Sequence, residues 1–94
     1  MEGKERKEGR FVIEIDHETL NIKVLQLPKP IAGIKEYLED EKLAGQAIHV
    51  QTFKVPSYSE DWEEVEMLIH EKNFKVLEWV IGDKKDLLLA ERTA

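Results

Sequence analysis

The chain has 94 residues, of which 41% are hydrophobic and 36% are charged, and its formal net charge is −6. This length fits one domain, and the negative charge argues against binding to nucleic acid. Cysteine is absent, which excludes disulfides, thiolate metal sites and cysteine nucleophiles. No apolar run approaches the ~18 residues of a membrane span, so the composition predicts a folded cytoplasmic protein that does not bind membranes.

The first features along the chain are a charged tail and a predicted hairpin. Residues 1–9 lack apolar periodicity and predict a disordered tail, so a single domain is expected over residues 10–94. Apolar positions alternate with other positions from Phe11 to Ile15 and again from Leu20 to Val24. This alternation predicts two strands joined as a β-hairpin.

A helix is predicted to follow this hairpin. Pro28 and Pro30 cannot donate hydrogen bonds to a sheet, and Pro30 suits the first turn of a helix. The apolar positions of this helix are spaced three and four apart and are Ile31, Ile34 and Leu38, with Tyr37 as a further candidate. Gly45 would end it with a left-handed cap, and Gly33 inside it predicts close packing at that position.

The second half of the chain predicts a strand, a helix and a closing hairpin. Pro56 ends the strand, Ser57 or Ser59 would cap the helix, and Asn73 would stop it in a left-handed conformation. In chain order the elements are a strand at 47–55, a helix that buries Trp62, Val65, Leu68 and Ile69, a strand at 74–81 and a strand at 87–91.

The predicted order is β-β-α-β-α-β-β, which places the chain in the α+β class. Because β-α-β connections cross over with a right-handed sense, both helices are expected on one face of a mixed sheet. The expected fold is therefore a two-layer α/β sandwich in which the second face of the sheet is uncovered.

The segment Leu27-Pro28-Lys29-Pro30 resembles the Cys-Pro-x-Pro motif that opens the first helix in the TusA/SirA family of sulfur carriers. The order of elements from Asp16 to Thr93 is also similar to that family's domain. The resemblance implies a β-α-β-α-β-β core, to which residues 10–15 add an N-terminal strand.

In that family the motif cysteine carries a persulfide, and Leu27 stands in its place here. Neither Met1 nor Met67 can substitute, because a thioether has no ionisable proton and takes up no transferable sulfur. The resemblance therefore implies a domain without persulfide transfer, which could still dock onto sulfur-relay or redox partners.

No catalytic residue, metal site or cofactor is predicted, and the chain is expected not to be an enzyme. The histidines lie in a turn, a strand and a helix, without the local spacing of metal ligands, and are His17, His49 and His70. No Gly-rich phosphate loop or Ser-His-Asp set is present either.

The leading functional hypothesis is protein binding, by a partner or by a second copy in a homodimer. In strand four, Phe74 and Val76 are predicted to point one way and Leu77, Trp79 and Ile81 the other, so both faces are apolar. If strands three and four pair, the uncovered face would also present His49, Gln51 and Phe53. The alternative is that the N-terminal strand or tail folds over Trp79.

A second hypothesis places a small anion or metabolite at the N-terminus of helix one. The backbone amides near Ile31 and Ala32 would donate to it, and Lys29 and Lys35 would supply positive charge. The sequence does not identify the ligand.

Overall fold

The structure is a computed structural model that describes residues 8–40, 42–54 and 62–93. Helices and strands follow one another in the predicted order and are β1 (Gly9–Asp16), β2 (Ile22–Ile31), α1 (Ile34–Glu39), β3 (His49–Phe53), α2 (Trp62–Glu71), β4 (Phe74–Ile81) and β5 (Lys85–Arg92). A short 3-10 turn, Ala44–Gln46, lies between α1 and β3.

The five strands form one open antiparallel sheet in the order β3-β2-β1-β5-β4. The prediction of a mixed sheet is wrong. The connection through α1 returns the chain to the end of β2 that it left, where His49 lies opposite Gln26. β3 therefore runs back along β2, and no right-handed crossover joins them.

The two helices lie on opposite faces of this sheet. Val65 and Ile69 of α2 pack in one buried cluster with Ile13 of β1, whereas Ile34 of α1 packs in another with Val12. Successive side chains of a strand point to opposite faces, so these clusters lie on the two sides of β1. The prediction that both helices share one face is therefore wrong, and each face carries one helix.

The predicted first helix is replaced at its start by an extension of β2. Gln26 of β2 pairs with Phe11 of β1, and the next paired residue of β2 is Ile31, which lies opposite Gly9. Residues 27–30 between them therefore form an irregular stretch. Prolines are tolerated in such a stretch because they need not donate to a ladder. α1 is consequently only six residues long, and Gly45 lies in the 3-10 turn instead of capping α1.

β4 contains a bulge that changes which residues share a face. Val76 and Glu78 lie opposite consecutive residues of β5, so Leu77 is an extra residue in β4. One extra residue reverses the facing of every later side chain in the strand. Trp79 therefore packs on the α2 face and Leu77 on the α1 face, so the prediction that they share a face is wrong.

Local predictions in the second half of the chain agree with the structure in part: β3 begins at residue 49 and not at 47 and ends at 53, and β5 spans residues 85–92 and not 87–91. Asn73 follows α2 with a φ of 67°, and β4 has its predicted bounds. The caps predicted at Ser57 or Ser59 and residues 1–7 of the predicted tail lie outside the described residues. Within those residues, no helix has the length and apolar character needed to cross a membrane.

Candidate functional site

The indole ring of Trp79 is fixed from two sides. Its Nε1–H donates a hydrogen bond of 2.7 Å to Asp86 Oδ2, and its ring lies 6.2 Å from that of Trp62 on α2, centroid to centroid. Because the N–H already has an acceptor, the ring offers apolar surface to a molecule that contacts it. The orientation of the Trp79 ring is thus fixed before any apolar group contacts it.

Asp86 is the carboxylate that holds Trp79, and only 4% of its surface is exposed. Its Oδ1 lies 2.6 Å from His17 Nε2. Burial alone raises the pKa of Asp86, but hydrogen bonds from His17, Trp79 and the backbone of Gly82 outweigh burial and lower the pKa below its ordinary value of 3.8. Asp86 is therefore a charged acceptor at neutral pH.

His17 links the β1–β2 turn to this carboxylate. The hydrogen bond to Asp86 raises the pKa of His17 above its ordinary 6.5; burial opposes this rise, and the Asp83 backbone supports it. The ring also packs edge-on against Trp62, with centroids 5.7 Å apart. Because Nε2 is already paired with Asp86, this geometry suits a residue that holds Asp86 and Trp79 in place better than a general base.

A groove runs along β4 beside α2, on both sides of Trp79. One part has a volume of about 510 Å³ and the other about 500 Å³, and Trp79 and Glu66 line both. The main apolar side chains of the first part are Ile69, Phe74 and Val76. Those of the second are Trp62 and Ile81. The groove between α2 and β4 is the candidate binding site of this protein.

The residues of the predicted partner face do not form one surface. β3 and β4 lie at opposite edges with three strands between them, so they do not pair as the prediction assumed. Phe53 and Trp79 pack against the same buried cluster, but each does so from its own edge of the sheet. The bulge places Leu77 on the other face of the sheet. β1 lies at the centre of the sheet, so this strand does not fold over Trp79 either.

The part of the α1 face near the β1–β2 turn is polar, not the apolar open face that was predicted. A shallow pocket of about 310 Å³ is lined there by side chains that include Glu14, Lys23, Thr52 and Lys85. Glu14 accepts hydrogen bonds from the Tyr37 hydroxyl at 3.1 Å and from Lys85 Nζ at 3.3 Å. Glu14, Tyr37 and Lys85 therefore form hydrogen bonds with one another.

The N-terminus of α1, where an anion was predicted to bind, receives a carboxylate of the chain itself. The Ile34 N–H donates a hydrogen bond of 2.7 Å to Glu78 Oε1. A Cβ on Gly33 would lie 3.2 Å from the same oxygen, which agrees with the predicted close packing at Gly33. The charge of Glu78 favours the positive end of the helix.

The other residues of the anion hypothesis lie before the Ile34 N–H or at exposed positions. Ile31 is the last residue of β2 and 1% exposed, and Ala32 precedes the Gly33 N-cap. Lys29 and Lys35 are exposed. Anion binding at this helix start therefore stays a prediction, and the Ile34 N–H there is already bonded to Glu78.

We expect Glu78→Ala to lower the free energy of unfolding by about 1 kcal/mol, because the Ile34 N–H loses its charged acceptor. Urea denaturation followed by circular dichroism measures the change. Lys75→Ala, an exposed position of the same strand, is the control and should cost less than about 0.5 kcal/mol. Equal costs would contradict the capping role of Glu78.

Asp86 is the residue of this site that sequence reasoning missed. The alternation pattern of β5 could have indicated it, because this pattern puts Asp86 on the same face as Leu88 and Ala90, where a buried carboxylate needs hydrogen-bond partners. The sequence predicts no role for His17 either. Within the described ranges, no three histidine, aspartate or glutamate side chains are grouped to hold a metal ion.

No protein-family model, curated protein or solved structure matches this chain.

Proposed function

We propose that this chain is a non-catalytic binding domain whose groove between α2 and β4 takes large apolar side chains of a protein partner. The observation that supports it best is Trp79, which Asp86 and Trp62 hold in place and which lines both parts of the groove. Tryptophan is enriched among the residues that dominate the free energy of binding at interfaces. A ring that is already ordered loses little entropy on binding.

The shape and charge of the groove define the chemistry of this partner. Two parts of about 510 and 500 Å³ that meet at Trp79 suit a segment with two large apolar side chains, one on each side of the ring. Glu66 lines both parts, whereas Lys75 lines only the first, and the net charge is −6. Basic residues of the partner are therefore favoured beside the second part. A link to sulfur-relay partners stays a prediction of the family resemblance, and the groove proposal does not depend on it.

A displayed library of random peptides tests this proposal. We expect selection on the full chain to enrich peptides with two large apolar residues and a nearby lysine or arginine. Their affinity should fall at least about tenfold in Trp79→Ala, since the ring is the shared wall of both parts. Fluorescence anisotropy of a labelled enriched peptide measures this change.

Two further variants keep the test specific. Glu66→Lys changes an exposed residue of α2 and should weaken binding of basic peptides without unfolding the domain. Leu38→Ala, on the opposite face of the sheet, should bind as the original chain does. The proposal fails if no peptide is enriched, or if enriched peptides bind all four proteins equally.

A further inference from the structure

A row of apolar side chains on the α1 face continues to the outer edge of β3, at the opposite end of the sheet from the groove. Val12, Leu25 and Val50 lie side by side on β1, β2 and β3. Val12 and Leu25 are 0% and 3% exposed, whereas Val50 is 48% exposed. Ile48, two residues before Val50, is 62% exposed. The apolar row therefore ends at an edge where a further strand could continue it.

The two edges of the sheet differ in features that prevent strand pairing. Lysine, other charges and bulges at an edge discourage the addition of another strand. β4 has a bulge at Leu77 and charged residues at Lys75 and Glu78. Residues 48–53 contain no lysine, arginine, aspartate or glutamate, and no bulge interrupts the pairing of β3 with β2. β3 is thus the edge at which another strand can add.

On the opposite side of β3, the one apolar side chain is already partly covered. Phe53 is half-buried in the α2 cluster, and the Lys72 ammonium lies 4.7 Å from the centroid of its ring. The apolar surface left at this edge is therefore on the α1 face. A strand that pairs with β3 would bury the most apolar surface if its own apolar residues lay on the α1 face.

We infer that β3 pairs antiparallel with β3 of a second copy of this chain and joins two sheets into one of ten strands. A two-fold axis perpendicular to the sheet keeps the α1 faces of both copies on the same side, so Ile48 and Val50 of each copy meet there. No like charges face each other, because the strand has none, although each copy carries a net charge of −6. Another strand would have to match both the neutral edge and the apolar pair, whereas the second copy does so by symmetry.

Sedimentation equilibrium of the full chain tests this inference. Because the contact is small, we expect a dimer that forms reversibly at concentrations of about 10–100 µM. Val50→Lys should raise the dimer dissociation constant at least about tenfold by placing like charges next to each other. Met67→Lys, which replaces a 61% exposed residue on α2, is the matched control and should leave the dissociation constant unchanged.

Amide hydrogen exchange provides a second readout that does not depend on a variant. Protection of residues 48–53 should rise with protein concentration in the original chain, while protection of β4 should not. A chain that remains monomeric at about 500 µM overturns the inference. So does a dimer that Val50→Lys and Met67→Lys weaken equally, or one whose concentration-dependent protection lies in β4.

Discussion

Asp86→Ala is expected to lower the free energy of unfolding by about 2 kcal/mol, because Trp79 Nε1–H loses its charged acceptor. The change also removes the carboxylate partner of His17. Urea denaturation at about pH 5.5 measures the effect where both groups are charged. The change should also weaken peptide binding in the groove, since Asp86 orients the ring that lines it. Asp83→Ala, an exposed turn residue, is the control and should change stability by less than about 0.5 kcal/mol.

The pH dependence of this stabilisation follows from the two pKa shifts. The pKa of His17 is raised above 6.5 in the folded state, so its contribution is complete below pH 6.5 and is lost as pH rises through the folded pKa. The pKa of Asp86 is lowered below 3.8, so its contribution is complete above pH 3.8 and is lost as pH falls through the folded pKa. The difference between the original chain and Asp86→Ala should therefore be largest between pH 3.8 and 6.5. A difference that grows above that range would contradict the pairing.

Leu27→Ala is the second change with a large expected effect, a loss of about 3 kcal/mol in the free energy of unfolding. Leu27 is 0% exposed and packs in the cluster under α1, so the smaller side chain leaves a cavity among atoms that are already ordered. Thermal or urea denaturation measures the loss. Leu38→Ala, at a 58% exposed position of α1, removes the same atoms and should cost less than about 0.5 kcal/mol.

Leu27→Cys extends this prediction to the chemistry of the motif that the segment resembles. A thiol in the core is protected from reagents, and burial in apolar surroundings also disfavours the reactive thiolate. We therefore expect it to react with a thiol reagent at least about 100-fold more slowly than the thiol of Leu38→Cys, and at the same rate in urea. Equal rates in the folded state would show that position 27 is accessible, as persulfide carriage requires.

Trp79 shows how far sequence patterns could predict the candidate site. Alternation predicted correctly that Trp79 lies in a strand. The prediction of the sheet face to which Trp79 points was wrong, because the extra residue Leu77 reverses the facing of the side chains that follow it in β4. That bulge depends on pairing with β5, and no local pattern around Leu77 indicates it.

His17 and Asp86 show why a pair of polar residues in the candidate site could not be predicted from the sequence. They are 69 positions apart in the chain, and their pairing depends on the β1–β2 turn lying beside the turn between β4 and β5. The His17 N–H donates to the Lys84 carbonyl at 3.0 Å and joins these two turns. His17 alone was compatible with an exposed turn, and alternation along β5 indicates only that Asp86 needs some partner, so only the folded chain reveals that the two residues pair beside Trp79.

The sequence by itself determined the order of strands and helices, the bounds of β4 and the left-handed stop at Asn73. These features depend on interactions among residues a few positions apart, such as alternation, helical spacing and capping. Only the tertiary structure decided that the sheet is antiparallel, that the helices lie on opposite faces and that Trp79 faces α2. These features depend on which strands pair, and the pairing depends on the burial of side chains that are far apart in the sequence. Leu27 and Ile31, for example, are buried with Val12 of β1 and Leu89 of β5, and β2 stays extended up to Ile31, where a helix was predicted.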